Sequence, residues 1–132
     1  LHRMDAEGAN VRRLSAHETS EWHPAVLNDG RIVSIRWDYV DRSAANFHGL
    51  WIHQPNGSGV ASLFGNYTMR INACYQPRAI PGSRRIAFIA GAHHANVGGS
   101  LAVTTADLLP LSSFTVTEIS SPLGLSTATV FA

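Results

Sequence analysis

Histidine and acidic side chains are the residues of this sequence best suited to chemistry. Neutral imidazole binds zinc, copper, nickel or iron, and carboxylates can complete or orient a coordination shell. His93 and His94 are adjacent, and adjacent side chains of an extended segment point in opposite directions, so one ring can face a site while the other packs. The predicted metal ligands are His93, His94, His23 and Asp38. The sequence predicts no catalytic residue and leaves the cofactor-binding residues unknown.

A structural role competes with each of these assignments. A histidine in a loop is more often a solvated side chain than a ligand. Asp38 could instead form a structural ion pair with Arg36 two positions before it. Cys74 is the single cysteine, which excludes an internal disulfide framework and a cysteine-rich zinc site. We expect it to be a small buried apolar side chain.

The element that organises the chain is a predicted hairpin around Asn28-Asp29-Gly30. Asn and Asp tolerate a positive φ and Gly adopts it without steric cost, so this triplet predicts a turn. Residues 32–37 alternate in the period-2 pattern of a strand. Pro24 is expected near the start of the preceding strand, where no ladder N–H is needed.

The hairpin belongs to a repeat of about 50 residues. Residues 1–14 resemble residues 50–63, and the Pro24 segment recurs at Pro77. A repeat of this length with about four short strands is typical of a propeller blade. We therefore predict an all-β fold, a partial β-propeller of about two to three blades of four-stranded antiparallel sheet, within a larger propeller. The predicted blade fragments are 1–14, 23–64 and 76–119, within a domain of residues 1–119.

Residues 120–132 form a divergent tail rich in Ser, Thr and Leu. Its pattern leaves open a further strand, a frayed end or a sequence foreign to the fold.

Loop lengths predict where a site would lie. The turns inside each hairpin are short, whereas the connections at 15–22, 38–49, 65–75 and 91–99 are long. Long connections are usually functional or disordered, and in a propeller these four lie at the same end. We call this the long-loop end and expect any ligand there, nearest His93 or His94. Trp22, Trp37 and Trp51 are expected to pack between blades rather than to bind a ligand.

Residues 1 to about 104 carry a family resemblance. Segments 21–33, 36–41, 77–82, 93–94 and 99–101 resemble the middle domain of the hydrazine synthase alpha subunit, within the TolB-like propeller repeats. The resemblance implies a periplasmic or otherwise extracytoplasmic bacterial parent protein. In the synthase the chemistry depends on c-type haems, whose Cys-x-x-Cys-His attachment motif is absent here. The expected cofactors are therefore none in this piece, with a metal or haem possible in the full-length parent.

The leading functional hypothesis is a scaffold or binding module. One alternative is part of a haem- or metal-dependent oxidoreductase whose catalytic cofactors lie outside this piece, and another is a propeller that docks a protein. The expected partners are the missing blades of the parent chain and, in the second alternative, another protein. A net charge of +1 argues against nucleic-acid binding. The apolar runs are too short for a membrane span, and this piece shows no signal peptide.

Overall fold

The computed structural model describes residues 1–38, 47–65, 71–93 and 99–107, and the backbone of two further strands at 114–118 and 126–130. The described chain is all-β, as predicted. No helix capable of crossing a membrane occurs among these residues. The strands are β1 (His2–Arg3), β2 (Arg12–Arg13), β3 (Ser20–Val26), β4 (Ile32–Trp37), β5 (His48–His53), β6 (Ala61–Phe64), β7 (Ala73–Ala79), β8 (Arg85–Gly91), β9 (Ser100–Thr105), β10 (Phe114–Glu118) and β11 (Ser126–Val130).

Two antiparallel meanders form the body of the described chain. The first meander is β3–β4–β5–β6, and the second is β7–β8–β9–β10. A single parallel bridge between His48 and Ala73 joins them into one mixed sheet, which does not close into a ring among the described strands. Strand β11 pairs with β10, so part of the tail is a further strand, one of the three alternatives that the sequence left open. Strands β1 and β2 form a separate hairpin.

The predicted hairpin at Asn28-Asp29-Gly30 is confirmed. The Gly30 N–H donates to the Leu27 carbonyl (3.0 Å), the Leu27 N–H donates to the Arg31 carbonyl (2.8 Å), and Gly30 has a φ of 85°. This is a three-residue hairpin loop that ends in a left-handed residue. The β5–β6 turn has the same bonds, with Gly57 at a φ of 86°. The two hairpins of the repeat therefore share one turn design.

Pro24 lies inside β3, not at its start as predicted from the sequence. The β3–β4 register shifts between Trp22 and Ala25, where His23 has a φ of 52°. Proline can lie within a strand at a bulge because its missing N–H then leaves no gap in the ladder. The β7–β8 register shifts in the same way around Gln76 and Pro77, and Gln76 has a φ of 49°. The two copies of the repeat therefore share the bulge in the first strand as well as the strands themselves.

The hydrophobic core extends across both meanders. Phe64 of β6 and Phe88 of β8 are 2% and 1% exposed, and their ring centroids are 5.4 Å apart. The other members of this buried cluster are Leu27, Val33, Ile35, Leu50, Ile52, Leu63, Cys74, Ile86, Ala102 and Ala106. Because one cluster contains side chains from both meanders, their packing is a major source of the stability of the fold.

A glycine comparison tests how the β1–β2 hairpin docks on the first meander. A Cβ at Gly57 would overlap the Leu14 carbonyl oxygen, whereas a Cβ at Gly30 would meet nothing within 4 Å. Both glycines have the same left-handed φ, so Gly30→Ala measures the backbone strain alone. We expect Gly57→Ala to lower the free energy of unfolding in urea by about 1–3 kcal/mol more than Gly30→Ala does. Equal losses would show that Leu14 does not pack on this turn.

Candidate functional site

The long-loop end of the two meanders carries a cluster of aromatic and imidazole rings. We call it the ring cluster, and its members are Trp22, Trp37, His48, Tyr75 and His93. Trp22 and Tyr75 lie near the starts of β3 and β7, and Trp37 ends β4. His48 begins β5, directly opposite Trp37 in the register. Antiparallel pairing brings these residues together, because the starts of β3, β5 and β7 and the ends of β4 and β8 lie at the same edge of the sheet.

His48 is the centre of the ring cluster. Its ring centroid lies 5.1 Å from that of Trp22, 5.0 Å from Tyr75, 6.2 Å from Trp37 and 6.1 Å from His93. Two of these rings come from the first meander and two from the second meander or the residues just after β8. His48 therefore lies between the meanders, beside the backbone bridge that its own main chain makes with Ala73.

The His48 ring lies in an apolar environment, close to the imidazole of His93. The side chain is buried, and neither ring nitrogen has a hydrogen-bond partner within the described part of the chain. Burial first, and then the nearby charges of His93 and His23, lower the pKa of His48 to about 4. The imidazole is therefore neutral near pH 7. A buried polar group without a partner destabilises a fold by about 1–3 kcal/mol, so this ring calls for an explanation.

Asp38 is one member of an ion pair with Arg36. The Arg36 Nε donates to Asp38 Oδ1 at 2.7 Å and also lies 3.0 Å from Thr19 Oγ1. The guanidinium of Arg36 lies 4.3 Å from the Trp51 ring centroid. The structural alternative that the sequence raised for Asp38 is thus present, with the carboxylate buried against its own meander.

His23 also has a structural partner. The Gln76 N–H donates to His23 Nδ1 at 3.4 Å, which joins the two equivalent bulges of β3 and β7. A neutral imidazole that accepts at Nδ1 carries its proton on Nε2. In this tautomer His23 presents no lone pair on Nε2 for a metal ion.

His93 is the predicted ligand that lies in the ring cluster. Its ring centroid is 5.0 Å from that of Trp37, and its backbone N–H donates to Asn72 Oδ1 at 3.1 Å. His94 lies outside the described residues. The described chain holds no group of three or more His, Cys, Asp or Glu side chains arranged to bind a metal ion. The four-residue set His93, His94, His23 and Asp38 stays a prediction.

The sequence predicts that His48 lies in the 38–49 connection, and His48 is not among the predicted ligands. The strand instead begins at His48, two residues earlier than expected, and pairs fully with β4. Matching the length of β5 to the six residues of β4 could have found this. Cys74 is fully buried in β7, and burial raises the pKa of its thiol, so its prediction as a small buried side chain is confirmed.

Two of the three tryptophans pack as part of the ring cluster. Trp37 of the first meander contacts His93, and Trp22 and Trp37 lie 6.3 Å apart in an edge-on arrangement. Trp51 packs against Arg36 in its own meander. The contact between Trp37 and His93 agrees with the expected packing of tryptophan between repeats.

A cleft of about 310 Å³ lies at the opposite end, between the β3–β4 and β7–β8 turns. The Asn28 amide crosses between the turns and donates to the carbonyls of Ile80 and Ser83, both at 2.8 Å. The Arg31 hydrogen bond holds the pKa of Asp29 below its usual value, and Arg84 pairs with Asp107. The residues that line the cleft are Leu27, Asn28, Asp29, Ala79, Ser83, Arg84, Arg85 and Ala106.

Comparison with protein-family models, with curated proteins and with solved structures finds no match to this chain. The features of the described chain that bear on its function are the repeated meanders, the ring cluster and the cleft.

Proposed function

We propose that this chain forms consecutive blades of a TolB-like β-propeller, similar to the hydrazine synthase alpha middle domain, and that it serves as a scaffold or binding module. The observation that carries the proposal is the repeated four-stranded meander with the same proline bulge in its first strand. Pro24 and Pro77 occupy equivalent bulges, and each follows a residue with positive φ. Two identical irregularities indicate one structural unit used twice.

The contacts between the meanders support a radial arrangement. The first strands, β3 and β7, contact each other, and the bulge residues His23 and Gln76 meet there. Away from this line, Phe64 of the first meander packs against Phe88 of the second, with the two ring planes tilted by 49°. First strands that approach one axis, with sheets stacked around it, are what a propeller requires. The proposed partners are accordingly further blades of the parent chain, and the proposed location is periplasmic or otherwise extracytoplasmic.

The oxidoreductase alternative is favoured by one observation, the pair of imidazoles His48 and His93 in an apolar cluster. In that case a metal or haem of the parent protein would lie at the long-loop end. The protein-docking alternative is favoured by the cleft at the other end, where Arg84 and Arg85 are exposed beside apolar walls. Arginine at the rim of an apolar cleft is a common feature of protein interfaces.

Electron microscopy of the full-length parent protein tests the proposal. Viewed along the axis, class averages should show a ring of blades around a central channel. An elongated open stack of sheets, or a two-layer sandwich, would overturn it. The ring would be seen whether or not any metal is bound, so this result is independent of the inference below.

A further inference from the structure

We propose that His48 and His93 are two ligands of a first-row transition metal ion of the kind that prefers imidazole, with Zn²⁺ as its reference member. The proposal goes beyond the scaffold role and adds His48, which the sequence did not predict as a ligand.

The first observation that supports a metal site is that the buried ring nitrogens of His48 have no hydrogen-bond partner among the described residues. Its two ring nitrogens are the only polar atoms of a side chain that is 4% exposed, and neither finds a partner among the described residues. Its neighbours are mainly aromatic rings. A plain aromatic residue would fill the same space without burying two polar atoms. A bound ion would give one nitrogen a partner stronger than a hydrogen bond, and buried polar groups left alone are commonly explained by such an ion or by a water.

The second observation that supports a metal site is the distance between the ring centroids of His48 and His93. An imidazole bound at about 2.0–2.1 Å places its ring centre about 3.2 Å from the ion, so two rings on one ion have centroids up to about 6.4 Å apart. The His48 and His93 centroids are 6.1 Å apart. A tetrahedral angle at the ion corresponds to a centroid separation of about 5.2 Å, so the two rings would move closer by about 0.9 Å on binding.

Two of the other predicted ligands already have structural partners. Asp38 is engaged by Arg36, and His23 accepts the Gln76 N–H on Nδ1. Neither is needed as a ligand in this proposal, and water can complete the coordination. Two neutral nitrogen donors select zinc, copper, nickel or iron over Mg²⁺ and Ca²⁺, which prefer oxygen. The indoles of Trp22 and Trp37 would limit solvent access around the ion.

A zinc titration of the chain tests this inference. Calorimetry should show one site that is lost, or weakened by about 100-fold or more, in His48→Phe and in His93→Phe. Losing an outer partner of a metal site typically weakens binding by about 10–100-fold, and losing a ligand should do at least as much. His53→Phe is the matched control, because His53 is a buried histidine at the opposite end of the same strand, outside the ring cluster. Its Nδ1 lies 2.8 Å from the Gln54 carbonyl oxygen, and its Nε2 has no partner among the described residues. It should bind zinc like the unmodified chain.

A second measurement keeps the test decisive if a variant fails to fold. In the unmodified chain, nitrogen-detected NMR of the histidine rings should show one ring nitrogen of His48 and one of His93 shifting together when one equivalent of Zn²⁺ is added. The proposal is overturned if the chain binds no zinc, which would leave a buried water as the partner of His48. It is also overturned if His48→Phe folds and binds zinc unchanged, or if zinc shifts only other histidines.

Discussion

Replacing Phe88 by Ala should lower the free energy of unfolding by about 3–5 kcal/mol, the usual range for a fully buried Phe. Phe88 is 1% exposed in β8, and its ring packs on Phe64 of the other meander. The truncation removes apolar contacts and leaves a cavity at the junction of the two meanders. Urea unfolding followed by far-UV circular dichroism measures the loss.

Leu101→Ala is the control for this truncation. Leu101 lies in β9 beside the partner of Phe88 in the register, but its side chain is 37% exposed. We expect its loss to be below about 1 kcal/mol, as for most surface changes. A double-mutant cycle with Phe64→Ala should add a coupling energy of about 0.5–1.5 kcal/mol. If Phe88→Ala were as mild as Leu101→Ala, the two meanders would not share a core.

The second large effect is a loss of stability in acid that depends on His48. Because its pKa is lowered to about 4 by burial, the folded chain takes up a proton less readily than the unfolded chain, whose value is near 6.5. Stability is therefore full above pH 6.5 and falls as the pH drops towards 4. The difference amounts to up to about 3 kcal/mol. In His48→Phe this part of the acid dependence should vanish, while stability at pH 7 without metal should change little, because the two unsatisfied nitrogens are removed with the ring.

The measurement is a series of urea unfolding curves between pH 4 and pH 7.5 in the presence of a chelator. His53→Phe serves as the control for replacing a buried histidine of the same strand outside the ring cluster. Parallel pH curves for His48→Phe and the unmodified chain would contradict the burial of a neutral His48 whose ring has no hydrogen-bond partner within the described part of the chain. Protonation would then occur elsewhere, or with a partner that stabilises the charge.

Local chemistry explains why much of the fold could be predicted from the sequence. Gly30 and Gly57 have no Cβ, so they mark the left-handed end of each hairpin loop whatever the surroundings. The alternation in residues 32–37 predicts a strand, and the recurrence of the pattern about 50 residues later predicts the repeat. The placement of Pro24 within a bulge was not predicted, because a bulge depends on pairing with β4 and leaves only a weak local signal.

The candidate site was harder to predict because its residues meet only through pairing between strands and between meanders. The sequence alone predicts a loop at His48. The pairing of β5 with β4 places His48 in a strand, opposite Trp37. The sequence left Asp38 open as a metal ligand or as an ion-pair partner of Arg36, and the 2.7 Å contact between Arg36 Nε and Asp38 Oδ1 shows the ion pair. The residue type shows which side chains are able to bind a metal ion. The pairing register of the strands determines which of these side chains already have a structural partner.

The central claim is that the first strands of successive repeats lie side by side. A cross-link between His23→Cys and Gln76→Cys tests it most directly, because the Gln76 N–H and His23 Nδ1 are 3.4 Å apart and the native Cys74 is fully buried. A control pair combines Gln76→Cys with Val60→Cys, an exposed position before β6. The account predicts that a short thiol-specific cross-linker joins the 23/76 pair within the folded chain, much faster than the control pair and not in urea. Equal rates for the two pairs would contradict it.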